Sequence, residues 1–168
     1  ARSPAPRAAA CPAAPAPSVK PAAKTPPAPP RPVDAPAAPV TPELAQVWPG
    51  VNSSAHSYLG TPYVWGGTTR SGIDCSALMQ NSYGENRVTL PRVSRQQWKS
   101  GVKVGGALRE GDLVFFNTMG VGVSHVGLVI DPKTRRFMHA SSSRGVVIDD
   151  LGKKYYSERY LGARRVVP

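Results

Sequence analysis

The chain is short of cysteine, of acidic residues and of long apolar runs. Its two cysteines, Cys11 and Cys75, lie on either side of a marked change in composition, so we expect no disulfide between them. One core cysteine with two histidines falls short of a closed structural zinc site, and no C-x-x-C pair occurs. A zinc site is therefore a minor alternative, and we expect no metal and no cofactor. No apolar run is long enough to cross a membrane, so we expect no transmembrane segment.

Large apolar residues are almost missing from the first quarter of the chain. Of the 19 prolines, 15 precede residue 51, and the residues around them are mainly alanine. Such a segment has too little to bury to offset the entropy of folding, so we predict a disordered Ala/Pro-rich tether over residues 1–45. Residues 46–168 hold enough apolar side chains for a core, and we predict one domain there.

Acidic residues number 10 against 21 basic residues, which gives a net charge of +11. Residues 47–168 alone hold a net +8, so the excess belongs mainly to the domain. A basic domain favours association with a polyanion, such as nucleic acid, an anionic membrane or an acidic cell wall. We expect no nucleic acid partner, because no helix-turn-helix, zinc-finger or RNA-binding motif occurs. A solvated basic surface without a partner stays open as an alternative.

Cys11 follows three alanines, an order typical of the end of a bacterial lipoprotein leader. Residues 1–10 nevertheless contain two prolines and no apolar core, so lipid attachment at Cys11 is a weak alternative. We expect an upstream leader that is either removed or outside this sequence.

Helix signals come first along the chain and strand signals follow. Thr41 and Pro42 predict a helix that ends before Pro49, a second helix covers residues 52–59, and a third starts at Cys75. Short apolar runs then predict five strands, over residues 113–116, 123–130, 136–140, 145–149 and 160–167. This order predicts an α+β fold with N-terminal helices packed on an antiparallel sheet of about five or six strands.

The stretch from Tyr63 to Gln80 carries the strongest chemical signal. A glycine-rich loop leads to Asp74, which is a good N-cap, and Cys75 then occupies the first helical position. The helix dipole at that position favours a thiolate, which is a nucleophile. A lone cysteine at a helix start is also commonly a small buried apolar residue, so the pattern alone does not decide between the two roles.

Three histidines are available as a base. His56 lies in a polar helical segment and is predicted to be a surface residue. His125 lies at the start of one predicted strand and His139 near the end of the next, so antiparallel pairing can bring their rings together. We predict that His125 takes the thiol proton of Cys75 and that His139 holds the other nitrogen of His125. Histidines buried for packing alone remain the alternative.

Six segments in the same order resemble the NlpC-type cell-wall peptidases, a bacterial branch of the papain-like cysteine peptidases. They are residues 60–67 (GTPYVWGG), 72–76 (GIDCS), 90–92 (LPR), 111–114 (GDLV), 124–127 (SHVG) and 139–141 (HAS). The resemblance runs from about residue 52 to the C-terminus. It is strongest to the small, stand-alone Gram-negative murein endopeptidases, which share an ending like residues 163–166 (ARRV).

The resemblance implies a papain-like fold and a role for each motif residue. Cys75 corresponds to the nucleophile, His125 to the general base and His139 to the residue that orients the base. Tyr63 corresponds to a hydroxyl beside the oxyanion. Asp74 and Ser76 correspond to residues that help hold the amino group of a substrate.

The function implied is hydrolysis of amide bonds in the peptide stems or cross-links of peptidoglycan, in the periplasm or cell envelope. We expect a monomer. Peripheral association with an anionic wall or membrane would suit the basic domain. Two alternatives stay open: a non-catalytic wall-binding module, and an amidase of the same fold that acts on a lipid or another amide.

Overall fold

The structure is a computed structural model, and it describes residues 42–168. Its helices are α1 (Pro42–His56), α2 (Cys75–Gly84), α3 (Ser94–Gln97) and α4 (Lys154–Ser157). Its strands are β1 (Thr68–Thr69), β2 (Gly72–Ile73), β3 (Val102–Lys103), β4 (Asp112–Phe116), β5 (His125–Asp131), β6 (Arg136–Ser141), β7 (Gly145–Asp150) and β8 (Tyr160–Arg165). The fold is α+β, as predicted, with three helices before the long strands.

The main sheet has six antiparallel strands in the order β3-β8-β4-β5-β6-β7, while β1 and β2 form a separate small hairpin. The turn between β5 and β6 is closed by Asp131, whose carboxylate accepts from the Lys133 amide at 2.9 Å and from the Thr134 hydroxyl at 2.6 Å. This turn fixes β5 beside β6. Strands β1, β2 and β3 went unpredicted because two residues carry no periodic pattern.

Both faces of the central strands are buried, which explains why they appear in the sequence as unbroken apolar runs. On one face Phe115, Leu128 and Met138 pack against α1 and α2. On the other face Phe116 and Phe137 pack with Tyr156 of α4. The sheet therefore separates a helical layer from a smaller layer built by α4 and the neighbouring loops.

Helix α1 differs from its prediction, because it runs unbroken through Pro49. Proline removes one backbone donor and disfavours a helix interior. Leu44, Trp48, Val51 and Ala55 nevertheless form one buried stripe along the whole helix. Burial of this stripe holds both halves in line, so tertiary packing overrides the local signal.

The predicted boundary at residue 46 is also too late, because residues 42–45 belong to α1 and Leu44 is buried. The rest of the predicted tether, residues 1–41, lies outside the described residues, as do Cys11 and the predicted helix cap Thr41. In the part that is described, no helix has the length and apolarity needed to cross a membrane.

Candidate active site

Cys75 is the first residue of α2, and its position is set by the residue before it. Asp74 has extended backbone angles, and its Oδ1 accepts a hydrogen bond of 2.8 Å from the amide of Ala77. Asp74 is therefore the N-cap of α2, as the sequence predicts. Cys75 is 7% exposed and lines a groove of about 310 Å³ together with Tyr63, Trp65 and Arg92.

Arg92 clamps the N-cap in place. Its guanidinium donates to both carboxylate oxygens of Asp74, at 2.9 and 2.6 Å, and also to Ser76 Oγ at 2.9 Å. Asp74 further accepts from the Gly66 amide at 3.1 Å, which ties the glycine-rich loop to the helix start. Burial alone would raise the pKa of Asp74, but the hydrogen bonds from Arg92 and Ala77 hold it below its ordinary value.

This clamp bears on the roles that the family resemblance implies for Asp74 and Ser76. Both oxygens of Asp74 are already engaged, and its charge is matched by the guanidinium of Arg92. A substrate ammonium would have to compete with that guanidinium. Sequence reasoning counted residues 90–92 among the six family segments but gave Arg92 no role, because no local pattern shows that Arg92 reaches residues 16 and 18 positions away.

The thiol of Cys75 lies in a site that disfavours charge. Burial is the main cause that raises the pKa of Cys75 to about 11, and the carboxylate of Asp74 adds to it. Amide groups of Val126, Ser76 and Cys75 itself act in the opposite direction. The expected preference for a thiolate is therefore outweighed by desolvation, and the free site holds a neutral thiol.

His125 and His139 lie close together, as the pairing of β5 with β6 predicts. His125 Nε2 is 2.9 Å from His139 Nδ1, and the two rings are nearly perpendicular. Burial is the main cause that lowers the pKa of His125 to about 3, with a contribution from His139, and burial also lowers the pKa of His139. Both rings are therefore neutral at pH 7. The amide of Val126 donates towards the thiol of Cys75, so the sulfur lies next to the start of β5, where His125 stands.

Gly127 leaves room for the ring of Phe137, on which His139 stacks. The register of β5 on β6 pairs Leu128 with Met138, which brings Gly127 opposite His139. A Cβ at Gly127 would lie 2.6 Å from the ring of Phe137, and His139 stacks on that same ring with centroids 4.8 Å apart. Packing of Phe137 beneath His139 therefore explains why residue 127 is a glycine.

The hydrogen-bonded chain continues beyond His139 to a buried carboxylate. His139 Nε2 is 3.0 Å from Asp149 Oδ2, and Tyr156 Oη lies 3.1 Å from that nitrogen and 2.9 Å from that oxygen. Arg144 and Lys153 also bind Asp149. Sequence reasoning missed Asp149, because an aspartate at the end of a predicted strand is indistinguishable from an ordinary solvated residue.

The remaining predicted residues are placed as follows. Tyr63 is half-buried and lines the groove with Ser76 and Ser124. His56 is half-buried on α1, away from the groove, and its Nδ1 is 2.8 Å from the carbonyl of Asn52. Among residues 42–168, no three His, Cys, Asp or Glu side chains are grouped to hold a metal ion.

Comparison with known proteins identifies the family of this chain. The NlpC/P60 family profile matches residues 60–165. The chain is 41% identical over 114 residues to a probable endopeptidase NlpC homolog of Haemophilus influenzae, covering 67% of this chain and 59% of that protein. It is 41% identical over 110 residues to the murein DD-endopeptidase MepS/murein LD-carboxypeptidase of Escherichia coli, covering 64% of this chain and 57% of that protein. The chain thus matches less than two thirds of the length of these relatives.

Solved structures of NlpC/P60 proteins also superpose on this chain. An NlpC/P60 family protein from Bacillus cereus superposes with a TM-score of 0.67 at 32% identity, over 82% of this chain and 43% of that chain. RipD from Mycobacterium tuberculosis, described as a non-catalytic NlpC/p60 domain protein adapted to peptidoglycan binding, superposes with a TM-score of 0.61 at 25% identity, over 73% of this chain and 98% of that chain. On this fold and these matches, the chain belongs to the NlpC/P60 family.

Proposed function

We propose that this protein is a cysteine endopeptidase that hydrolyses amide bonds in peptidoglycan, with Cys75, His125 and His139 as its catalytic residues. The observation that carries the proposal is the hydrogen-bonded pair of histidines beside a buried cysteine at a helix N-terminus. Packing alone gives no reason to place two neutral imidazoles end to end beside a thiol, whereas a nucleophile that needs a base does.

In the proposed reaction, the sulfur of Cys75 attacks the carbonyl carbon of the scissile amide while its proton passes to His125. Because His125 Nε2 is bonded to His139, Nδ1 is the nitrogen that receives this proton. His125 then gives the proton to the leaving amine, which departs as the thioester forms. Water, deprotonated by His125, hydrolyses the thioester and restores the thiol.

The negative charge on the carbonyl oxygen needs donors at the same place. The backbone N–H of Cys75 points out of the N-terminus of α2, where the helix dipole also favours negative charge. Tyr63 lines the same groove, and we assign its hydroxyl as the second donor. Ser76 Oγ is engaged by Asp74 and Arg92, so we assign Asp74 and Ser76 chiefly to holding the helix start and the groove wall.

The proposed substrate follows from the groove and from the relatives. The groove holds only about 310 Å³, with Trp65 exposed at its wall, and this size suits a short peptide better than a lipid chain. The Escherichia coli relative is named a murein DD-endopeptidase. We therefore favour the D-Ala–diaminopimelate cross-link as the bond that is cleaved, over the D-Glu–diaminopimelate bond of the stem. We also propose that the protein acts as a monomer in the periplasm, within the cell envelope.

A digest of purified peptidoglycan tests the proposal, with the wild type beside Cys75→Ala. Fragments are separated and identified by mass spectrometry. Loss of cross-linked dimers with the wild type alone supports a cross-link endopeptidase. Stems shortened to dipeptides would move the cut to the D-Glu bond. Binding without cleavage by folded wild-type protein would contradict the proposal and favour a wall-binding module, the role stated for RipD.

A further inference from the structure

A buried carboxylate stands behind the histidine pair, and the proposed reaction gives it no role. Asp149 is 1% exposed and is the last residue but one of β7. Its carboxylate meets His139, Tyr156, Arg144 and Lys153. We propose that Asp149 is a positioning residue that sets the tautomers of both histidines, and the proposal rests on the function proposed above.

The tautomers of both histidines follow from the ionised state of Asp149. An ionised carboxylate only accepts hydrogen bonds, so the proton of neutral His139 must sit on Nε2, 3.0 Å from Asp149. The other nitrogen of His139, Nδ1, is then a lone pair and accepts from His125 Nε2 at 2.9 Å. With its proton on Nε2, neutral His125 has its lone pair on Nδ1. That is the nitrogen that receives the thiol proton of Cys75.

Tyr156 is compatible with the same assignment. Its hydroxyl donates to Asp149 Oδ2 at 2.9 Å, and its oxygen can then accept a share of the N–H of His139 at 3.1 Å. Burial and the neighbouring carboxylate raise the pKa of Tyr156, which keeps this hydroxyl protonated. The hydroxyl therefore supports the arrangement and does not compete with it.

Two cations keep Asp149 charged although it is buried. Burial would raise the pKa of Asp149, but hydrogen bonds from Arg144 and Lys153 first, and then from His139 and Tyr156, hold it well below its ordinary value. The side chains of Arg144 and Lys153 are 49% and 57% exposed, so they reach Asp149 from the protein surface. A charged acceptor is thus maintained behind His139 at pH 7.

Replacing Asp149 with a side chain that can donate should reverse the tautomers of both histidines. The side-chain amide introduced by Asp149→Asn can donate to His139 Nε2, and the proton of His139 then moves to Nδ1. His139 would donate to His125 Nε2, and the proton of His125 would move to Nδ1. The nitrogen that should take the thiol proton would already carry one, and the base would be lost. A comparable exchange of an orienting aspartate in serine proteases acts through the wrong tautomer.

The test compares Asp149→Asn with Asp150→Asn, using full-length protein. Asp150 is the next residue of β7 and pairs with Arg135 at 3.5 Å, so it controls for the loss of one negative charge at the same place. Two readouts are taken: kcat and KM on peptidoglycan fragments, and the tautomer of each histidine from nitrogen-15 NMR of histidine-labelled protein. His56 provides the internal reference.

For Asp149→Asn we expect kcat to fall about 10²- to 10⁴-fold, as for loss of the base itself, with KM nearly unchanged. We also expect a proton to appear on Nδ1 of His125, and we expect neither change in Asp150→Asn. A purely structural role for Asp149 would lower stability and leave the tautomers as they were, and this result would overturn the proposal.

The wild type alone also decides the matter if Asp149→Asn does not fold. Both histidines should carry their protons on Nε2, and a proton on Nδ1 of either ring would overturn the proposal. The NMR readout needs no substrate. An inactive wild type with the expected tautomers would therefore contradict the proposed function but support the assignment of Asp149. An active wild type with other tautomers would support the proposed function but contradict the assignment of Asp149.

Discussion

Cys75 should react with a neutral alkylating reagent slowly at pH 7 and faster at each higher pH. Burial raises the pKa of its thiol to about 11 and lowers that of His125 to about 3, so each group is neutral in the free site. Only the thiolate attacks iodoacetamide. The rate of alkylation therefore reports directly how much thiolate the site holds.

The size of the effect follows from the pKa. With a pKa of about 11, about one Cys75 in ten thousand is ionised at pH 7, against about 3% of a free cysteine with a pKa near 8.5. That difference is about 300-fold. A thiolate of higher pKa is intrinsically more nucleophilic, which recovers about tenfold. Alkylation at pH 7 should thus be about 30-fold slower than for a free thiol, and it should rise nearly tenfold per pH unit up to pH 10.

The assay follows iodoacetamide labelling between pH 5 and pH 10 by mass spectrometry of the tryptic peptide 71–87, which carries Cys75. The Cys11→Ser variant removes the other thiol, and the synthetic 71–87 peptide supplies the free reference. Poor access to a buried sulfur lowers the rate equally at every pH, so the slope is diagnostic. A fast, flat profile from pH 5 upward would show a preformed thiolate–imidazolium pair and refute the argument that desolvation dominates.

Three further results are expected. His125→Ala should lower turnover of peptidoglycan fragments by about 10²- to 10⁴-fold, and His139→Ala by less, because orienting a base contributes less than supplying it; equal losses would mean that both rings transfer protons. Gly127→Ala should lower the free energy of unfolding in urea by about 1–3 kcal/mol, because the added methyl meets the ring under His139. Gly106→Ala, which meets nothing within 4 Å, is its control and should leave stability nearly unchanged. Deleting residues 1–41 should leave the melting temperature as it was, and a drop of many degrees would show that this segment packs on the domain.

Local signals in the sequence predict the nucleophile side of the site well. Asp74 is an N-cap because its carboxylate meets the first free amides of the helix, and these groups are neighbours in the chain. The five long strands are predicted by short apolar runs bounded by turns. The six ordered motifs then identify the family. All of these depend on interactions between residues close in sequence, or on the pattern of burial.

The parts that sequence reasoning missed depend on distant partners. Pro49 lies inside a helix only because the buried stripe of α1 continues on both sides of it. Arg92 holds Asp74 across 18 positions, and Asp149 reaches His139 only after β6 and β7 pair, with His139 opposite Val147. The charge state of Cys75 also escaped prediction, because the helix dipole is a local property whereas desolvation depends on the whole fold.

The two buried carboxylates are both paired with cations, and burial is the main cause of the shifted pKa values of Cys75 and His125. Asp74 lies beside the nucleophile and Asp149 behind the base, and each would shift the charge of its neighbour if it stood alone. Arg92 pairs with the first, and Arg144 and Lys153 pair with the second; Asp74 still makes a contribution, smaller than that of burial, to the raised pKa of Cys75. Desolvation then decides both pKa values. Proton transfer from Cys75 to His125 must accompany attack on the substrate, and its direction depends on the hydrogen-bonded chain behind His125 more than on a stored ion pair.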